Sequence, residues 1–156
     1  MVRARTVGGM RRWWLLAILT ILLAAAPRAA LACSCAGVSK PQAAQNASVV
    51  FSGRVTSVTR PFAIGISCTS SSEDPVVAVF EVETVYKSEL PATTTVRTVV
   101  GGASCGYDFV AERRYTVFAT VGANGLETNL CRGNVEGAIT PSEYGLPAGH
   151  PPARSL

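Results

Sequence analysis

From residue 49 to residue 130, polar and apolar positions alternate with a period near two, and the alternating residues are mostly Val, Thr, Phe and Tyr. Residues of this kind favour pleated, half-buried strands over helices. Five strands are predicted, over about 49–59, 76–86, 93–100, 115–121 and 126–130. In the first, Phe51, Gly53 and Val55 share a face, and Gly53 marks a bulge or coil. In the second, Ala78, Phe80, Val82, Thr84 and Tyr86 point one way and Glu81 and Glu83 the other, as expected of a sheet with one wet side. Ala123-Asn124-Gly125 is the hairpin signal between the last two strands. Short strands joined by short turns predict a closed barrel.

Helix is scarce. Residues 41–47, opened by Pro41, form a brief predicted helix that stops before the β-branched run, and a second short helix is expected after Cys131. From Gly145 onward the chain is rich in Pro and Gly without periodicity, which predicts a loose tail.

The first 32 residues follow another pattern: an Arg-rich start, an apolar run from Trp13 to Ala26, and the small-residue ending Ala30-Leu31-Ala32. Such a segment reads as a secretory signal peptide, because the run is shorter than the roughly 18 residues a membrane-spanning helix needs. The expected organisation is therefore a leader over 1–32, one barrel domain over 33–140 and a flexible tail over 141–156. With 48% hydrophobic and 15% charged residues the chain is neither disordered nor multi-domain. The overall charge of +4 belongs to the leader, which carries five arginines and no acid; fourteen basic residues less those five leave nine against ten acids. A net −1 body argues against nucleic-acid binding, which needs a positive groove with stacking aromatics. Arg97, Arg113 and Arg114 read as solvated residues rather than a basic patch.

Export brings thiols into an oxidising compartment, so Cys33, Cys35, Cys68, Cys105 and Cys131 read as a disulfide framework with one cysteine over. Cys68 lies in the polar stretch Ser67–Pro75 and is the expected unpaired thiol. A bridge between Cys33 and Cys35 would close a strained ring, so each is expected to reach Cys105 or Cys131. Spacing alone is compatible with either pairing.

No enzyme is expected, since the one histidine, His150, falls in the predicted tail and leaves the body without an imidazole base. Glu81 and Glu83 are expected to be solvated strand-face acids. The chain is expected to hold no metal of its own and no cofactor. Asn46-Ala47-Ser48 is a glycosylation sequon beside the predicted helix end.

A mature end of Cys33-Ser34-Cys35, a short helix, the strand Val49–Val55, and the later segments Ala103-Ser104-Cys105-Gly106 and Leu130-Cys131-Arg132-Gly133-Asn134 together resemble the inhibitory domain of the tissue inhibitors of metalloproteinases. The resemblance spans roughly Cys33 to Asn134. It implies an all-β, netrin-like, five-stranded OB-fold barrel with one or two short helices, bridged Cys33–Cys105 and Cys35–Cys131. It further implies a secreted inhibitor whose partner is a zinc metalloproteinase, with the α-amino nitrogen and carbonyl oxygen of Cys33 chelating the partner's catalytic zinc and Ser34 entering the adjoining pocket. The chemistry is sound: an α-amino group has an ordinary pKa of about 7.7 to 8.0, so a neutral lone pair exists near pH 7. A catalytic zinc keeps an open position for such a ligand. The alternative is an exported or lipid-anchored envelope binding or adhesion module with the same barrel and no inhibitory activity. It would meet the membrane only if Cys33 carried lipid, and Ala30 three residues before the cysteine suits ordinary cleavage better. Acylation of the Cys33 nitrogen would remove the chelating lone pair.

Overall fold

A computed structural model describes residues 35–61, 75–100 and 105–154. The expected leader, Cys33, Ser34 and Cys68 lie outside these residues. The described elements are α1 (Lys40–Asn46), β1 (Val49–Thr59), β2 (Pro75–Lys87), β3 (Thr93–Val99), β4 (Arg114–Gly122), β5 (Gly125–Glu127) and β6 (Val135–Glu136), with 3-10 turns at Leu130–Arg132 and Pro141–Tyr144. The strand order is β1-β2-β3-β5-β4-β6, and β1 also pairs with β4. That last pairing closes β1 to β5 into a barrel, with the β3–β5 ladder its one parallel contact. The fold is an all-β, OB-like barrel: the strands and their closure follow the period-two pattern and short turns, and the OB-like form is the one that the family resemblance implies.

The barrel interior is filled by Phe51, Val55, Ala78, Phe80, Val85, Val96, Phe109 and Val117 with their neighbours. Phe80 meets Phe51 edge-on at 5.3 Å between ring centroids and Phe109 at 5.1 Å. Edge-to-face contact is the arrangement the ring quadrupoles favour. Tyr107 and Tyr115 continue the stack. Burial, helped by Tyr115 and Glu136, holds the Tyr107 hydroxyl above the ordinary tyrosine pKa.

Face assignment along β2 departs from strict alternation. Ala78, Phe80 and Val82 point inward, but the next inward residue is Val85, while Tyr86 joins a second cluster with α1, Val50, Phe118 and Tyr144. The cause is the β1–β2 register: Ser52 faces Thr84 but Gly53 faces Val82, and Val50 faces Lys87 but Phe51 faces Val85. Glu83 and Tyr86 are therefore extra residues on β2, each shifting the pleat by one position. The irregularity expected near Gly53 is present, with its extra residue on the opposite strand. Gly53 itself lets the strands approach, since a Cβ there would sit 2.5 Å from the Glu81 carbonyl oxygen.

Several outer-face charges are paired. Arg54 bridges Glu81 and Glu112, Arg114 meets Glu83 and Arg113 meets Glu136. Glu81 and Glu83 thus serve separate arginines, and the Glu81 hydrogen bond with the nearby Glu112 charge pushes the Arg54 pKa up.

The segment expected as a loose tail is docked as far as Ala153. β3 begins opposite Glu81, so the following part of β2 lacks β3 as a neighbour on that edge. His150 fills one place by exchanging backbone hydrogen bonds with Val85 at 2.8 and 2.9 Å, and the Ala153 N–H donates to the Leu90 carbonyl. Covering an exposed strand edge removes unpaired backbone groups. Tyr144 is buried against Phe118, so the domain extends beyond residue 140.

A seven-residue helix is too short to stand alone in water, and α1 is held from below. The Lys87 ammonium donates to the carbonyls of Ala44, Gln45 and Ala47. These are the acceptors a helix C-terminus leaves without intrahelical partners. Lys87→Met, which keeps the stem and removes the charge, should lower the free energy of unfolding by about 1 to 2 kcal/mol. Urea titration of both proteins measures this, and an unchanged midpoint would show that the ammonium contributes nothing.

Candidate functional site

The cysteine segments converge at one end of the barrel. Residues 35–39 run exposed and without regular structure into α1, and their first residue is bridged to Cys131. Cys131 sits in the 3-10 turn that follows β5, where the Asn129 side chain accepts a hydrogen bond from the Cys131 N–H at 3.0 Å. One residue earlier, the Leu130 N–H donates to the Cys105 carbonyl at 2.8 Å. Cys105 is itself disulfide-bonded and adopts φ +63. Thus Cys35, Cys105 and Cys131 occupy one rim, tied by a disulfide and a backbone hydrogen bond.

The Cys35–Cys131 bridge is the second of the two pairings implied by the family resemblance. Of the first, Cys33–Cys105, Cys105 is described and disulfide-bonded, whereas Cys33 lies outside the described residues, as do the expected contact residue Ser34 and Cys68.

Two features hold the rim in place. Gly133 takes φ +91, and a Cβ on it would lie 2.8 Å from the Ala43 methyl, so this turn packs α1 through a position suited to glycine. Asn134 then plugs a gap in the sheet. β6 covers β4 only at Tyr115 and Thr116, and β5 only from Thr120, which leaves the peptide groups of Phe118 facing neither. The Asn134 carboxamide oxygen accepts from the Phe118 N–H at 2.9 Å, and the Thr128 hydroxyl donates to the Phe118 carbonyl at 2.8 Å. The Asn134 amide nitrogen donates to Thr128 Oγ1 and to the Asn129 carbonyl. Two side chains thus replace a missing strand and fix the turn that carries Cys131. Leu130-Cys131-Arg132-Gly133-Asn134 stood out in the sequence for its cysteine, and nothing there signalled the structural part played by Asn134.

Beside the disulfide lies a small cavity of about 210 Å³, lined by Val38, Ala43, Asn46, Asn129, Cys131 and Arg132. Exposed Asn46, the sequon asparagine, therefore borders the rim. Asn129 and Arg132 also line a larger groove of about 430 Å³ that crosses the outer face of β3, β5 and β4 and includes Arg97, Thr120, Asn124 and Glu127. Val38 and Leu130 are exposed hydrophobic residues beside the cysteines. Among the described residues no group of three or more His, Cys, Asp or Glu is placed to hold a metal ion, and no helix is long and apolar enough to cross a membrane.

Compared with models of protein families and with curated proteins, this chain finds no match.

Proposed function

We propose that the chain is an exported inhibitor-like domain that engages a zinc metalloproteinase through its mature N-terminus. In this reading the α-amino nitrogen and carbonyl oxygen of Cys33 chelate the partner's catalytic zinc, and Ser34 enters the pocket beside it. The observation that carries it is the Cys35–Cys131 disulfide, which anchors an exposed N-terminal segment on the rim that also bears Cys105. A terminus restrained in this way loses less conformational freedom on docking. A five-membered N,O chelate fills the position that a catalytic zinc leaves open. The sulfur atoms clamp the edge and are not zinc ligands. The disulfide also suits export, because such bonds persist in oxidising compartments.

The test is to insert one alanine before Cys33 and to assay both proteins against a panel of zinc proteases. The native terminus should inhibit at least one protease, and the extended form should lose about a hundredfold in potency, the equivalent of roughly 3 kcal/mol. Equal potency would reject chelation. Failure of both proteins to inhibit any protease would instead favour an envelope binding module that uses the same rim without zinc.

A further inference from the structure

The geometry points to a second binding site, independent of the chelating terminus: an oxyanion site for carboxylate or phosphate between Arg97 and Arg132. Arg54, Arg60, Arg113 and Arg114 each carry an ion pair, whereas Arg97 and Arg132 form none among the described residues. Both are half-buried in the same groove of about 430 Å³. The groove follows from the shortness of β5. After Val96↔Leu126 and Arg97↔Glu127 the ladder with β3 ends, with a last hydrogen bond from the Thr128 N–H to the Arg97 carbonyl. The chain then leaves the sheet for the 3-10 turn that brings Arg132 into the lining of the same groove.

The acid nearest in register does not neutralise Arg97. Glu127 is its ladder partner, but the Glu127 carboxylate lies over Gly122, where a Cβ would overlap it, and makes no ion pair with Arg97 among the described residues. This leaves two guanidinium groups, which match oxyanions through paired N–H donors, beside the uncharged polar residues Thr120, Asn124 and Asn129. The recognised chemistry is one oxyanion, either free or presented on an acidic peptide segment.

The probes are inorganic phosphate, a capped tetraglutamate peptide and its tetraglutamine counterpart. Each is titrated into the 15N-labelled protein, purified as expressed, while amide shifts are followed by NMR. Saturable shifts at Arg97, Asn124, Asn129 and Arg132 are expected with phosphate or tetraglutamate at a Kd of about 1 mM, and none with tetraglutamine. Response to tetraglutamate alone would assign the site to acidic peptide segments, and response to both to the oxyanion itself. Arg97→Gln and Arg132→Gln should each weaken binding about tenfold. Glu127→Gln should tighten it about threefold by removing a competing charge. Opposite signs in variants of one groove separate specific binding from misfolding. No saturable shift, shifts elsewhere, or variants that leave the Kd unchanged would overturn the proposal. Because no protease is present, either outcome leaves the chelating terminus to its own test.

Discussion

Replacing Cys35 and Cys131 together by serine is expected to lower the free energy of unfolding by about 4 to 5 kcal/mol. The bridge joins residues 96 apart. In the chain-entropy view, closing so long a loop removes many conformations from the unfolded chain, and the effect grows with the logarithm of loop length. A small domain has a total stability of only about 5 to 15 kcal/mol, so this loss is a large share of it. The effect should also be local, because residues 35–39 are exposed and the disulfide is their covalent hold on the rim. Urea denaturation measures the global loss, and limited proteolysis near residue 36 the local one. A variant with an unchanged midpoint would show that the barrel and α1 position the N-terminal segment without help. If the chelating reading holds, inhibition should fall even under conditions where the variant remains folded.

The barrel was legible because its strands keep a period-two pattern over enough residues to name a face, and because Asn124-Gly125 declares the β4–β5 hairpin. The predicted strands 49–59, 76–86 and 115–121 overlie β1, β2 and β4 closely. What escaped the pattern is what depends on neighbours distant in sequence. Val85 and Tyr86 exchanged expected faces because β2 carries an extra residue, Glu83, that β1 does not pair, a fact of register that no single strand contains. The fifth strand ends at Glu127 rather than near residue 130, because Asn129 caps the turn at Leu130–Arg132. β6 is two residues long and offers no period at all. The C-terminal segment looks loose by composition, yet β2 leaves an edge open that His150 can pair with. As for the site, the cysteines were visible in the sequence and one of the two implied bridges is present, whereas the polar groove was not, since Arg97, Glu127 and Arg132 come together only where β5 stops.

Asn134→Ala is expected to cost about 2 to 4 kcal/mol, more than a surface substitution of a half-exposed polar residue would suggest. The substitution removes the acceptor for the Phe118 N–H and the donor to the Asn129 carbonyl. Phe118 is fully buried, so solvent has little access to its N–H, and an unpaired buried donor costs about 1 to 3 kcal/mol. The turn that carries Cys131 loses its anchor at the same time. Thr128→Val tests the same device from the other side by removing the hydroxyl that donates to the Phe118 carbonyl and accepts from Asn134. Because the two side chains share a partner and touch each other, their effects should not add, and a double-mutant cycle should return a coupling of about 1 kcal/mol or more. Additive losses would mean that each side chain serves β4 separately, and that the gap between β5 and β6 is closed by water rather than by this pair.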